Sequence, residues 1–341
     1  MCTEKSEQVV HPFPGHSLIS VIVPVCNEQE VIAGFHQRLQ RALAATDVPR
    51  TEIIYINDGS TDRSMALLLQ CMHQDPAVQI IDFTRNFGKE AAMTAGIEHA
   101  KGDAAIIIDA DLQDPPELIP EIIGQWNQGY DVVNMHRISR EGDGLLKRKT
   151  AQAFYSVMGH IGPVKMPDNV GDFRLLSRNA MDALRKMPER NRFMKGMFTW
   201  IGFSVKELNY HRDTRYAGST KWNYLGLWKL AIEGITSYTT APLKAATYVG
   251  LTTSLSAFFY GLFIFFKTLF RGNAVPGYPS LMVVVLFLGG LQLLAIGIAG
   301  EYLGRIFIET KGRPLYLVNR HYTASAAKTA LPKIIAQRNS A

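Results

Sequence analysis

The chain has 341 residues, a formal net charge of +6 and 47% hydrophobic residues, too long for one small core and basic enough to suit an anionic partner. Its mean hydropathy is near zero, but this averages two unlike parts: residues 1–240 read as a soluble α/β protein, and 242–304 are far more apolar. No lysine/arginine block, zinc-ligand spacing or aromatic RNA-binding signature accompanies the charge, so no nucleic-acid partner is expected and membrane lipid remains.

Residues 1–17 form a polar, proline-containing segment. The apolar run after it is too short for a secretory signal and leads into Asn27-Glu28, so no leader is expected. Cys2, Cys26 and Cys71 are odd in number and match no metal-ligand spacing, which points to a reducing compartment.

A catalytic-sized domain is expected over 18–220. The run LISVIVPV (18–25) predicts a strand, followed by a helix over about 28–45. TEIIYI (51–56) predicts the next strand, broken by Asn57-Asp58-Gly59-Ser60, a turn and N-cap signal. A helix to about 74, a strand at 78–83, a helix at 89–100, a strand at 104–108, a helix from Glu117 and a strand at 131–135 follow. Short strands alternating with helices predict an α/β fold with a mostly parallel sheet. No G-x-G-x-x-G and no P-loop follows the first strand, which disfavours dehydrogenase-type and P-loop chemistry.

In such sheets the ligand lies outside the carboxyl ends of the strands. Those ends carry Pro24, Asn27 and Glu28, then Asp58, Arg85, Asp109 and Asp111, and Arg137. The fourth strand ends as IIIDADLQDP (106–115). Two carboxylates flanking one small residue suit a hard cation such as Mg2+ or Mn2+, which takes one or two carboxylates plus phosphate oxygens. Asp111 is the direct ligand in this reading. Asp109 binds through water or contacts a ribose, and Gln113 completes the shell. An isolated D-x-D is also compatible with a solvated loop; the apolar strand before it and the acids at neighbouring strand ends favour the metal.

Residues 221–241 interleave tryptophans with charge and predict an amphipathic segment at a membrane interface. Residues 242–310 contain two nearly uncharged stretches, about 246–266 and 280–300, each long enough to span a bilayer. Lys221, Lys229, Lys244, Arg305, Lys311, Arg313 and Arg320 flank the pair, against Lys267 and Arg271 in the connecting loop. The positive-inside rule then places the large N-terminal domain in the cytoplasm. Gly300 and Gly304 form a small-xxx-small pair compatible with a homo-oligomer. Residues 311–341 are read as a cytoplasmic tail without a role.

VIVPVCNEQE, INDGSTD and DADLQDP, in this order, resemble the family-2 glycosyltransferases of GT-A fold. FTRNFGKEAA (83–92), NVGDFRLLSR (169–178), PERNRFMKG (188–196) and GEYLGRIF (300–307) narrow the likeness to the polyprenyl-phosphate glycosyltransferases, nearest to those that glucosylate bactoprenol in O-antigen modification. The likeness covers roughly 18–320.

The resemblance implies that Pro24, Glu28 and Asp58 form a uracil and ribose pocket; Asp58 also reads as a helix N-cap, with the binding role favoured by its neighbours. Arg85, Asn86 and Lys89 either touch the donor or are surface charge at a helix start. Asp172 is implied near the acceptor and the anomeric carbon, as an orienting or base-like group; the alternative is an ion pair with Arg174. A dianionic acceptor needs cations, and Arg137, Arg148, Arg215 and Lys221 are those in reach of the argument. Lys147-Arg148-Lys149 also reads as a solvated helix face.

The function so implied is inverting transfer of a hexose, glucose first, from a UDP-sugar to undecaprenyl phosphate. A flippase and a downstream glycosyltransferase would act on the product. The same reaction with mannose, N-acetylglucosamine or formamido-arabinose stays open. A processive synthase would carry Q-x-x-R-W and more spans, and a non-catalytic sugar-nucleotide-binding scaffold would not need Asp111 and Asp172.

Overall fold

The computed structural model describes residues 17–138, 170–211, 239–271 and 277–323. They belong to two compact units. Strands β1 (Leu18–Val25), β2 (Arg50–Asn57), β3 (Val78–Phe83), β4 (Ala104–Ile107), β5 (Val132–Arg137), β6 (Val170–Ser177), β7 (Val205–Tyr210) and β8 (Val318–Tyr322) form one sheet in the first unit. Their order is β7-β5-β6-β4-β1-β2-β3-β8.

The first half is the expected parallel arrangement: β1 pairs in parallel with β2 and with β4, and β2 with β3. These strands are continuous apolar runs because helices cover both faces. Helices α1 (Ile32–Ala44), α2 (Ser64–Gln74) and α4 (Ile119–Asn127) set Phe35, Leu39, Leu68, Ile119 and Ile122 into one core with Ile19, Val21 and Val23. Helix α3 (Lys89–His99) packs on β1 and β2, and α5 (Arg178–Arg185) on β4 and β6. A shorter helix, α6 (Met194–Trp200), precedes β7. The chain leaves β1 for β2 on one side and returns to β4 on the other. The crevice between the carboxyl ends of β1 and β4 is therefore the topological switch point.

Three strands depart from the sequence reading; one of them, β7, pairs in parallel with β5 at the edge of the sheet. β6 inserts antiparallel between β4 and β5, which brings Asp172 beside the end of β4. β8, within the stretch read as a tail, pairs antiparallel with β3 and closes that edge. Side chains fasten it: Asn319 Nδ2 donates to Asp82 Oδ2 at 2.8 Å, His321 Nε2 lies 2.9 Å from Gln79 Oε1, and the Tyr316 hydroxyl donates to Glu98. The fifth strand also runs to Arg137 rather than ending at 135.

Among the described residues the helices of the second unit are α7 (Ala241–Arg271) and α8 (Tyr278–Lys311). Each is long and apolar enough to cross a membrane, and both outrun the predicted spans. At 1.5 Å per residue the 34 residues of α8 measure about 51 Å, well beyond a hydrocarbon core of about 30 Å. The excess carries Glu301 and Arg305, paired at 3.2 Å. The Tyr302 hydroxyl donates to the Thr239 carbonyl at 2.7 Å, joining the start of one helix to the far end of the other. Most of the interfacial segment at 221–241 lies outside the described residues.

Candidate active site

The site is built on three loops that meet under Asp58. The Asp58 N–H donates to the Val25 carbonyl at 2.9 Å. Its carboxylate accepts from the backbone N–H of Phe87 at 2.6 Å and of Gly88 at 3.0 Å. The chain turns at Gly59 with φ 63°, and a Cβ there would lie 2.3 Å from the Asn86 nitrogen. Burial raises the Asp58 pKa, and the two N–H bonds oppose that rise. Helix α2 is instead served by Asp62, whose Oδ1 accepts the Ser64 N–H at 2.9 Å. The N-cap alternative for Asp58 is thereby replaced: this carboxylate holds the loop that leads into α3.

The β1 and β2 loops are joined in the same manner. Asn27, in left-handed conformation at φ 56°, donates its N–H to Ser60 Oγ at 3.0 Å and accepts the Thr61 N–H at 2.8 Å. The Glu28 N–H donates to Ser64 Oγ at 2.9 Å. Pro24 stands opposite Ile56 in the β1–β2 ladder. Asn86 reaches back to Cys26 Sγ at 3.2 Å, and the Arg85 guanidinium stacks 4.0 Å over the Phe87 ring.

Lys89, the first residue of α3, draws the centre together. Its Nζ lies 2.6 and 2.7 Å from the two Asp109 carboxylate oxygens and 2.5 Å from Asp172 Oδ2. Burial opposes the charge on Asp172, but the ammoniums of Lys89 and Lys195 outweigh it and hold the carboxyl well below the usual range. At Asp109 burial prevails over the Lys89 charge and pushes the pKa up. The Asp172 carboxylate thus pairs with Lys89, while Arg174 Nε donates to the Asp172 carbonyl at 3.4 Å and its charge also favours the ionised carboxylate. Arg174, buried under the Phe198 ring at 3.9 Å, donates to the carbonyl of Gly171 at 2.5 Å. Glu90, which sequence reasoning passed over, accepts the Met194 N–H at 3.0 Å. Burial and the Asp172 charge push Glu90 up to about 7.

The turn after β4 keeps its shape by a strained residue. Leu112 has φ 61°, a conformation costly for a bulky side chain. Its side chain is sunk in the core cluster, which compensates. The Gln113 N–H donates to Asp111 Oδ1 at 3.1 Å, which ties the Asp111 carboxylate to this turn.

A second centre lies two residues further on. Asp114 is fully buried, and its Oδ1 accepts from the Tyr210 hydroxyl at 2.5 Å. Arg137 Nε donates to the same hydroxyl at 3.1 Å, with Nη2 3.8 Å from Asp114. Asp114 was visible in the motif but had no role assigned, and Tyr210 lies on a strand the pattern did not reveal. Arg148, Arg215 and Lys221 lie outside the described residues.

Among the described residues no group of three His, Cys, Asp or Glu side chains is close enough to hold a metal. A hard ion such as Mg2+ or Mn2+ that arrives with a diphosphate takes only one or two protein carboxylates. Hard oxygen donors at Asp109 and Asp111 fit that chemistry, with Gln113 beside them.

Residues 20–185 match the sequence profile described as Glycosyl transferase family 2. The chain belongs to this family of GT-A glycosyltransferases. Among its relatives is a prophage bactoprenol glucosyl transferase homolog of Escherichia coli, 49% identical over 302 residues, 89% of this chain and 98% of that protein. A bactoprenol glucosyl transferase of Shigella phage SfII is 48% identical over 89% of this chain and 98% of its own length. An uncharacterized glycosyltransferase of Synechocystis sp. is 46% identical over 88% and 94%.

Proposed function

We propose that the chain transfers a hexose, glucose first, from its UDP-sugar to undecaprenyl phosphate at the cytoplasmic face of a bacterial inner membrane. The observation that carries this reading is the Lys89-bridged pair of Asp109 and Asp172, with Asp111 beside it, at the switch point of the sheet. Two membrane-length helices in the same chain and relatives named for bactoprenol support the lipid acceptor.

An oxygen of the acceptor phosphate attacks the anomeric carbon. The bond from that carbon to the UDP oxygen breaks, and the displacement inverts the centre. A phosphate monoester has a second pKa of about 6, so the nucleophile arrives already ionised and needs no general base. Asp172 orients the sugar and acceptor instead of removing a proton. Mg2+ or Mn2+, held by Asp111 and Asp109 with Gln113 beside them, would neutralise the charge developing on the departing diphosphate. Pro24 and Glu28 lie where the nucleoside would sit, and Asp58 acts there through the loop it holds. Arg137, fixed by Tyr210 and Asp114, would supply a guanidinium to the acceptor phosphate. Arg148, Arg215 and Lys221 supply further cations for that phosphate. The basic flanks of the helix pair support a cytoplasmic site, so a flippase and a later transferase would use the product.

Purified full-length protein in detergent, given undecaprenyl phosphate, metal and one radiolabelled sugar nucleotide at a time, tests this. Lipid-soluble label from UDP-glucose is the expected result. Label from a different nucleotide alone would change the sugar, and label from none would leave a non-catalytic binding scaffold.

A further inference from the structure

The Lys89 bridge raises a conflict of charge. Both Asp109 oxygens lie within 2.7 Å of one ammonium, so a divalent cation bound to Asp109 would stand against a positive charge while the lysine stays. The lysine also sits where a cation is least welcome, at the amino end of α3, where the helix dipole favours negative charge. Its placement is therefore explained by the carboxylates it joins. Asp109 and Asp172 are mostly buried, at 18% and 16% side-chain exposure, and without a cation between them they would repel.

The anchoring of Lys89 is asymmetric. The backbone before it is fixed, because the Gly88 N–H is held by Asp58. Its side chain is 41% exposed and ends on a flexible four-carbon stem. With its root fixed and its ammonium held, among the described residues, only by the side chains of Asp109 and Asp172, Lys89 can exchange partners without moving the fold.

Building on the reading of Asp109 and Asp111 as the metal side of the site, we propose that Lys89 is an internal stand-in cation that makes metal binding depend on the donor. In the donor-free protein its ammonium bridges Asp109 and Asp172 and competes with a divalent ion. When a nucleoside diphosphate brings the ion in, the ammonium leaves Asp109 and turns to the diphosphate. No covalent bond changes in this exchange: the ammonium's contacts with Asp109 are lost, and coordination of the carboxylate to the incoming divalent ion takes their place. The consequence is that metal and donor bind as a pair, and metal without donor binds poorly. Lys89 is in this sense a positioning residue as well as a donor contact.

The test is Mn2+ binding to the full-length protein in detergent, followed by electron paramagnetic resonance with and without UDP. Wild type is expected to bind Mn2+ weakly alone and much more tightly with UDP. Lys89→Met should tighten nucleotide-free Mn2+ binding by about tenfold, the order expected when one competing charge is removed near a surface. The gain from UDP should shrink in the same variant. Lys89→Arg, which keeps the charge, should stay near wild type. Lys89→Gln serves in the same way if the methionine variant does not fold, as judged by circular dichroism. Unchanged or weaker nucleotide-free binding in the neutral variants, with wild type still binding Mn2+ in the presence of UDP, would overturn the proposal alone. No Mn2+ binding by wild type even with UDP would remove the metal reading and the proposal together.

Discussion

A Cβ on Gly171 would lie 2.3 Å from Nη2 of Arg137. The guanidinium passes over the backbone of β6 at the one residue with no side chain to block it. Three groups thus fix Arg137: the Tyr210 hydroxyl, the Asp114 carboxylate behind it, and the gap at Gly171. Gly171→Ala meets only the end of a flexible side chain, so the fold should survive while the guanidinium is displaced. Transfer should fall by roughly ten- to hundredfold, the scale of an ångström-level misplacement, with the thermal midpoint little changed. An alanine variant that retains wild-type turnover would remove Arg137 from the acceptor site.

Asp111 and Asp172 should separate in their effects. Asp111→Asn is expected to abolish transfer with little change in stability, because its carboxylate sits on the rim and not in the core. Asp172→Asn should slow transfer without abolishing it. Asp172 is held well below the usual carboxylate range by Lys89 and Lys195 against the cost of burial, so it stays ionised across the working pH range. The fall in rate toward acid should therefore follow the acceptor phosphate, near pH about 6, and should persist in Asp172→Asn. Loss of that limb in the variant would make Asp172 the titrating base.

Glu90 gives a stability prediction with a definite sign. Burial and the Asp172 charge raise it from 4.5 to about 7, so the folded protein favours the protonated form. Its contribution is complete below about pH 4.5 and is lost as pH rises through about 7. Glu90→Gln should flatten the decline of the thermal midpoint over that window, measured by scanning calorimetry in detergent. An equal decline in both proteins would contradict the assignment.

Gly59→Ala should act on the fold first. The new Cβ would meet the backbone of Arg85 and Asn86, which cannot yield as a side-chain tip does, and φ is 63°. A loss of about 1–3 kcal/mol is expected from the backbone conformation alone, measurable by denaturant unfolding. Because the same loop holds Lys89, Mn2+ binding with UDP should weaken too. A variant as stable as wild type would show that the three-loop junction is looser than its distances indicate.

The parallel half of the sheet was legible because each strand is an apolar run closed by a turn signal, and the rim acids followed from those ends. β6 was not, because Gly171, Asp172 and Arg174 interrupt the apolar pattern for reasons of site chemistry: a gap for Arg137, a partner for Lys89 and a clamp on the strand. β8 was hidden as a polar edge strand, VNRHY, paired through main chain and side-chain bonds to Asp82 and Gln79. Asp58 shows the limit most clearly. Asp-Gly-Ser announces a local cap, but its bonds go to Phe87 and Gly88, 29 and 30 residues on. Local chemistry marked which residues matter, and only the fold showed which of them touch.

The central claim is most directly tested by glucosyl transfer from radiolabelled UDP-glucose to undecaprenyl phosphate by the purified chain, with Mg2+ and again in excess chelator. Labelled glycolipid should form with the metal, vanish with the chelator, and be absent with Asp111→Asn in both conditions. Undiminished product in chelator, or none in any condition, would contradict a metal-dependent transferase built on the rim of this sheet.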